Sequence, residues 1–176
     1  MKKLFYAFIL VTLFTCSSCK KSSTAEDQLP PETTTGAMTF GCKVDGKVFV
    51  PRDGNGHPGL YVQYVYLGNG LGGGWFLNIP AIDYQTAERK NINISTDSLL
   101  LVENNVYAFK NLVGHPQAFY SSVGNVYKKM DLDSGNLFIK KHDLINHILS
   151  GTFSFIATNS SGHAVNITDG RFDIKY

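Results

Sequence analysis

Ser150-Gly151-Thr152-Phe153-Ser154-Phe155-Ile156-Ala157-Thr158 and Arg171-Phe172-Asp173-Ile174-Lys175-Tyr176, close to the end of the chain, decide its fold class. In the first, Phe153, Phe155 and Ala157 fall on one side of an extended backbone. In the second, Phe172, Ile174 and Tyr176 point inward while Arg171, Asp173 and Lys175 point outward. Successive side chains of a strand face opposite ways, so this period of two predicts strands with one buried and one wet face. That is the habit of antiparallel sheets rather than parallel ones.

Working back towards the N-terminus, the same alternation recurs between Gly, Asn and Asp punctuation. Met38 to Val44 and Lys47 to Val50 flank Asp45-Gly46, a dipeptide that tolerates the positive φ angles of a type I′ hairpin turn. Leu60 to Leu67 and Trp75 to Ile82 flank the glycine-rich Gly68 to Gly74, expected to be a mobile loop. Further strands are expected at Asn91 to Ser95, Val106 to Lys110, Gln117 to Ser121, Asn125 to Met130 and Asn136 to Lys141. Asp143 to Leu149 reads as a short helix or a run-in to the next strand, and nothing shows a long helical period. The prediction is an all-β domain over 37–176, an antiparallel β-sandwich or meander barrel of about ten short strands.

The N-terminus carries a different message. Lys2 and Lys3 precede an apolar run from Leu4 to Phe14, and the small residues from Thr15 to Ser18 lead to Cys19. A run of about eleven apolar residues falls well short of the ~20 that a membrane-spanning helix needs. Residues 1–18 therefore read as a signal peptide of the lipoprotein type, cleaved before Cys19. The Cys19 thiol would carry diacylglycerol and the new amine a further acyl chain, palmitate. Several chains hold a protein on a membrane where one does so only marginally, since each buried CH₂ contributes about 0.8 kcal/mol. This expects an outer-membrane, lipid-anchored protein on the periplasmic or the cell-surface side. Residues 19–36 hold the lipidated cysteine and a polar stretch rich in Lys, Ser, Thr, Glu and Pro, expected to be a disordered tether.

Charge and cysteine content narrow the partners. The chain has sixteen Lys and Arg against fourteen Asp and Glu. Removal of residues 1–18 takes away Lys2 and Lys3, which leaves fourteen against fourteen and a formally neutral product. Nucleic acid is then not expected as a partner, because phosphate binding draws on clustered cations. Of three cysteines, Cys16 leaves with the signal, Cys19 is acylated, and Cys42 stands alone between Phe40 and Val44 as a small buried hydrophobe. The expected domain is a monomer stabilised by packing rather than by a disulfide.

Phe40-Gly41-Cys42 with Val44-Asp45-Gly46-Lys47, and Ser150-Gly151-Thr152-Phe153-Ser154-Phe155 with Ile167-Thr168-Asp169-Gly170-Arg171-Phe172-Asp173, resemble the two ends of a Bacteroidota lipoprotein family of unknown function. The resemblance spans the mature domain and implies an anchored all-β protein. Its motifs are strand and turn residues, so it implies no catalytic role.

Motifs of chemistry are sparse. Gly68 to Gly74 lacks the Lys-Ser or Lys-Thr of a phosphate loop. Asp131, Asp133 and Asn136 suggest a calcium loop, but the glycine comes one residue early and no Glu follows at the twelfth position, so a turn is expected. Five scattered histidines, His57, His115, His142, His147 and His163, have no ligand spacing, and no cofactor or metal is expected. No G-x-S-x-G, and over 37–176 no S-x-x-K, marks a nucleophile, so no catalytic residue is assigned. The remaining lead is aromatic: Tyr64, Tyr66 and Trp75 are the candidate ligand-binding residues, beside the glycine loop. Three functions follow as expectations. The first is a non-catalytic binding or structural module that contacts an envelope protein or a glycan. The second is a calycin-like carrier of a small apolar ligand, to which the G-x-W of Gly73-Gly74-Trp75 lends a lipocalin flavour; the third is a hydrolase.

Overall fold

The computed structural model describes residues 28–128 and 135–176. Among them are eleven strands and no helix: β1 (Thr39–Val44), β2 (Lys47–Phe49), β3 (Gln63–Tyr66), β4 (Trp75–Ile82), β5 (Asn91–Thr96), β6 (Val106–Ala108), β7 (Pro116–Ser122), β8 (Asn125–Lys128), β9 (Gly135–Asp143), β10 (Ile148–Thr158) and β11 (Ala164–Lys175). All pairings between strands are antiparallel. One layer runs β2-β1-β11-β10-β9-β6 and the other β8-β7-β5-β4-β3. They join where Thr158, at the end of β10, pairs with Lys128 of β8. A second junction lies beyond β2, where Arg52 bridges to Asp83 after β4 and pairs with its carboxylate at 2.7 Å. The result is an antiparallel β-sandwich, one of the two architectures that the alternating pattern allows.

The core lies between the layers and is built from the predicted inward positions. Phe153, Phe155, Ala157, Phe172 and Ile174 are all buried, facing Leu77, Ile79, Ile92 and Ile94 of the other layer. Rings fill the middle: Phe40 and Phe153 lie 5.1 Å apart, Phe109 and Phe155 5.5 Å, Phe153 and Phe172 6.5 Å. The β10–β11 register explains two glycines within strands. Phe153 lies opposite Gly170 and Phe172 opposite Gly151, and a Cβ on Gly170 would stand 2.5 Å from the Phe153 ring. Each glycine thus makes room for the ring across from it. The Asp45-Gly46 turn has φ of 47° and 79°, the two positive values expected of type I′.

Several expectations are corrected. The strand expected from Leu60 starts at Gln63, with Leu60 making only an isolated bridge to Ala81. The last strand is longer than expected, starting at Ala164. Asp143 to Leu149 forms neither helix nor continuous strand; the Asp143 carboxylate accepts from the Ile145 and Asn146 amides and closes a turn between β9 and β10.

The largest departure concerns Asp173, expected outward in water. It does face away from the core, yet it is only 1% exposed. Residues 28–36, expected to belong to the tether, run across this outer face as a strap. Asp173 accepts hydrogen bonds from the Thr33 hydroxyl (2.6 Å) and from the backbone amides of Thr35 (2.8 Å), Gly36 (2.7 Å) and Ala37 (3.3 Å). Pro30 packs where a side chain on Gly41 would stand, which gives the glycine of Phe40-Gly41-Cys42 its role. Glu32 reaches Lys140 (3.3 Å) and Arg171 (4.0 Å). A polar strip with little to bury is held down here by one carboxylate that collects orphaned donors. The signal segment, Cys16, Cys19, Asp131 and Asp133 lie outside the described residues.

Candidate functional site

Strand pairing decides which of the candidate rings share a surface. Tyr66 lies opposite Trp75 and Tyr64 opposite Leu77, so the two tyrosines share a face with Trp75 between them. The Trp75 ring is 4.9 Å from Tyr64 and 5.3 Å from Tyr66. Beyond Tyr64 the row continues edge-on to Tyr176 at 5.1 Å, then to His147 at 5.3 Å.

This row runs from the surface at Tyr66 through the core at Tyr64 and out to the exposed His147. Tyr64 is 4% exposed, its hydroxyl donating to the Leu99 carbonyl (3.4 Å) and accepting from the Leu101 amide (2.9 Å). Burial pushes its pKa up to about 12, against the pull of the Leu101 amide. The segment between β5 and β6 folds over this ring, so Tyr64 is a core residue and leaves the ligand-facing set. Trp75 is half-buried, and Tyr66 is 46% exposed with its hydroxyl bonded to the Asn69 side-chain carbonyl. Trp75 and Tyr66 are what the surface keeps of the predicted site.

The glycine loop beside them is closed by backbone hydrogen bonds. Leu67 N–H donates to Gly74 (2.9 Å), Gly74 N–H to Gly68 (2.8 Å) and Gly73 N–H to Gly70 (2.8 Å). Gly74 has φ of 122°, and a Cβ there would overlap Ser98, whose hydroxyl donates to the Gly73 carbonyl at 2.6 Å. Glycine at 74 therefore lets the segment after β5 approach the loop. That segment is fixed by Leu99 N–H donating to the Trp75 carbonyl (2.8 Å), and the segment after β6 is fixed to it by Gly114 N–H donating to Asp97 (3.0 Å). Three connections thus meet at one end of the sandwich.

These three connections carry exposed apolar side chains: Leu67, which follows Tyr66 in the chain, and Leu71 in the glycine loop, Leu100 after β5, and Leu112 and Val113 after β6. Sequence reasoning missed the last three. The available signal was apolar runs, Leu99 to Val102 and Leu112-Val113, standing between turn residues where no strand alternation held. Soluble surfaces carry scattered single hydrophobes, whereas neighbouring ones rimmed by polar residues mark contact sites.

Cys42 is fully buried, and burial pushes its thiol well above the ordinary range, so it is a packing residue and not a nucleophile. His142 lies on β9, its Nδ1 2.6 Å from the Leu101 carbonyl and its Nε2 3.0 Å from the Tyr176 hydroxyl. Among the described residues no three His, Cys, Asp or Glu come together to hold a metal ion. The chain matches no family model, no curated protein and no solved structure.

Proposed function

We propose that this protein is a non-catalytic module of the bacterial cell envelope, anchored through lipidated Cys19 in the outer membrane, that docks a partner protein through the end of the sandwich around Tyr66. The observation that carries the reading is the set of exposed apolar side chains from three connections, tied to one another by backbone hydrogen bonds. A surface already held in place loses little conformational freedom on binding, and exposed aromatic and leucine side chains supply contact area without charge to desolvate. Resemblance to anchored envelope proteins supports the location, and the even charge balance supports a partner other than nucleic acid. The carrier reading draws less support, since a calycin-like barrel keeps an open interior and the rings of Phe40, Phe153, Phe155 and Phe172 occupy this one.

The test is site-specific photo-crosslinking in the native cell, with the crosslinker at Leu71. A discrete adduct in the membrane fraction is expected, weakened by Tyr66→Ala combined with Leu100→Ser. Cys19→Ser is expected to move the protein to the soluble fraction and to lose the adduct. An adduct of twice the chain's mass would replace the partner with a second copy, and absence of any adduct from a folded, anchored protein would sink the reading.

A further inference from the structure

The face that carries the strap holds an open groove of about 530 Å³ on the far side of the molecule's core, over β9, β10 and β11. Its floor is made by the outward positions of adjoining strands. Thr152 of β10 lies between Phe138 of β9 and Arg171 of β11, and Ser154 lies beside Asn136. Glu32 closes one side from the strap, and Asp169 stands on another. The volume lies within the roughly 300–1,000 Å³ range of small-molecule sites.

Three features select the ligand class. The first is a half-buried phenyl ring, Phe138, set among hydroxyl, amide, carboxylate and guanidinium groups. The flat C–H face of a pyranose covers such a ring, and planar polar groups take adjacent hydroxyls in pairs. The second is charge. Glu32 is matched by Lys140 and Arg171, and Asp169 by Lys43 at 2.8 Å, so each carboxylate in the groove already has its cation. An anion or a cation would have to displace those pairs, whereas a neutral, hydroxyl-rich ligand can bond to groups they hold in position. The third is the backbone. β9, β10 and β11 each have partner strands on both sides, so an extended peptide finds no free edge to join.

We propose that this groove is a binding site for a neutral oligosaccharide, stacked on Phe138 and hydrogen-bonded by Glu32, Arg171 and Asn136. It is separate from the apolar end around Tyr66 and independent of the docking proposed there. Glu32 comes from the strap, so the site is complete only while the strap is held by Asp173.

The experiment is calorimetric titration of the full chain in detergent with chitohexaose, mannohexaose, maltohexaose and xylohexaose. Saturable binding of at least one is expected, weakened tenfold or more by Phe138→Ala and several-fold by Glu32→Gln, and unchanged by Leu71→Ser at the other end. Phe138→Trp is expected to retain binding. Because Glu32 lies outside both layers, its substitution keeps the test decisive should Phe138→Ala fail to fold. Failure of all four sugars to bind, or binding that withstands both Phe138→Ala and Glu32→Gln, overturns the site. Loss of binding in Leu71→Ser instead would move the sugar to the apolar end and overturn both this groove and the purely protein partner proposed above.

Discussion

The β10–β11 hairpin and the β3–β4 hairpin start from the same alternation of side chains and end in opposite states. β10–β11 pairs over most of its length, presses Phe153, Phe155, Phe172 and Ile174 into the core, and has its outer face roofed at Asp173 by the strap. β3–β4 pairs at four positions, leaves β3 at the end of its layer and exposes Tyr66, Val65 and Leu67. Periodicity chooses which side chains share a face. Whether that face stays wet is decided by chain that arrives from elsewhere: residues 28–36 in one case, the segment after β5 in the other.

The largest effect should come from the first hairpin. Truncation after Asp169 removes the buried Phe172 and Ile174 and the partners of Thr39, Phe40 and Gly41 on β1. Burial of such side chains contributes ~1.5–3 kcal/mol each, comparable with the 5–15 kcal/mol margin of a typical domain. Cooperative unfolding, followed by circular dichroism, is expected to be lost; survival at an unchanged temperature would make this hairpin as peripheral as the other. Gly170→Ala is the gentler form of the same test. The methyl would press on the Phe153 ring at 2.5 Å, for an expected loss of about 1–3 kcal/mol in denaturant melts.

The strap offers a pH test. Burial alone would raise the Asp173 pKa, and donors from Thr33, Thr35, Gly36 and Ala37 outweigh it, so the net direction is down. A folded-state value below the unfolded one means that the carboxylate's contribution is fully present above the unfolded value, ~3.9, and is lost as pH falls through the folded value. Amide exchange of Thr35, Gly36 and Ala37 is therefore expected to accelerate in that acid window while the Gly68–Gly74 loop keeps its protection. Equal acceleration at both places would assign the change to global unfolding.

The smallest effects separate two tyrosines two residues apart. Tyr64→Phe strips the buried Leu101 amide of its acceptor, for an expected cost of about 1–2 kcal/mol. Tyr66→Phe, on the exposed side of Trp75, is expected to stay within about 0.5 kcal/mol in the same melts. Comparable losses at both would mean that the exposed end is as firmly built as the core.

Which parts were legible follows from the range of the interactions involved. The order of the strands and the Asp45-Gly46 turn rest on neighbours in sequence, and they appear where the alternation and the turn dipeptide put them, although several strand ends, such as those of β3, β6 and β11, do not. Asp173 was misread because its donors sit 136 or more residues away along the chain. Tyr64 and Tyr66 are indistinguishable by period, and only the fold of the Leu99–Leu101 segment over one of them tells them apart. The groove over β9–β11 was invisible for the same reason, since Glu32 and Phe138 meet only through the strap and the strand register.

The strap also shortens the leash. If Cys19 carries the anchor proposed above and the chain ran free from there to Gly36, the domain could stand ~50 Å from it. With ordered chain from residue 28 onward, about eight residues remain between, and even fully drawn out they span only ~30 Å. Under the anchoring proposed above, a domain so tethered would search a thin sheet parallel to the bilayer rather than a volume. Its encounters would then depend on lateral diffusion and on what else lies within that layer, which would raise the effective concentration of membrane-bound partners over soluble ones.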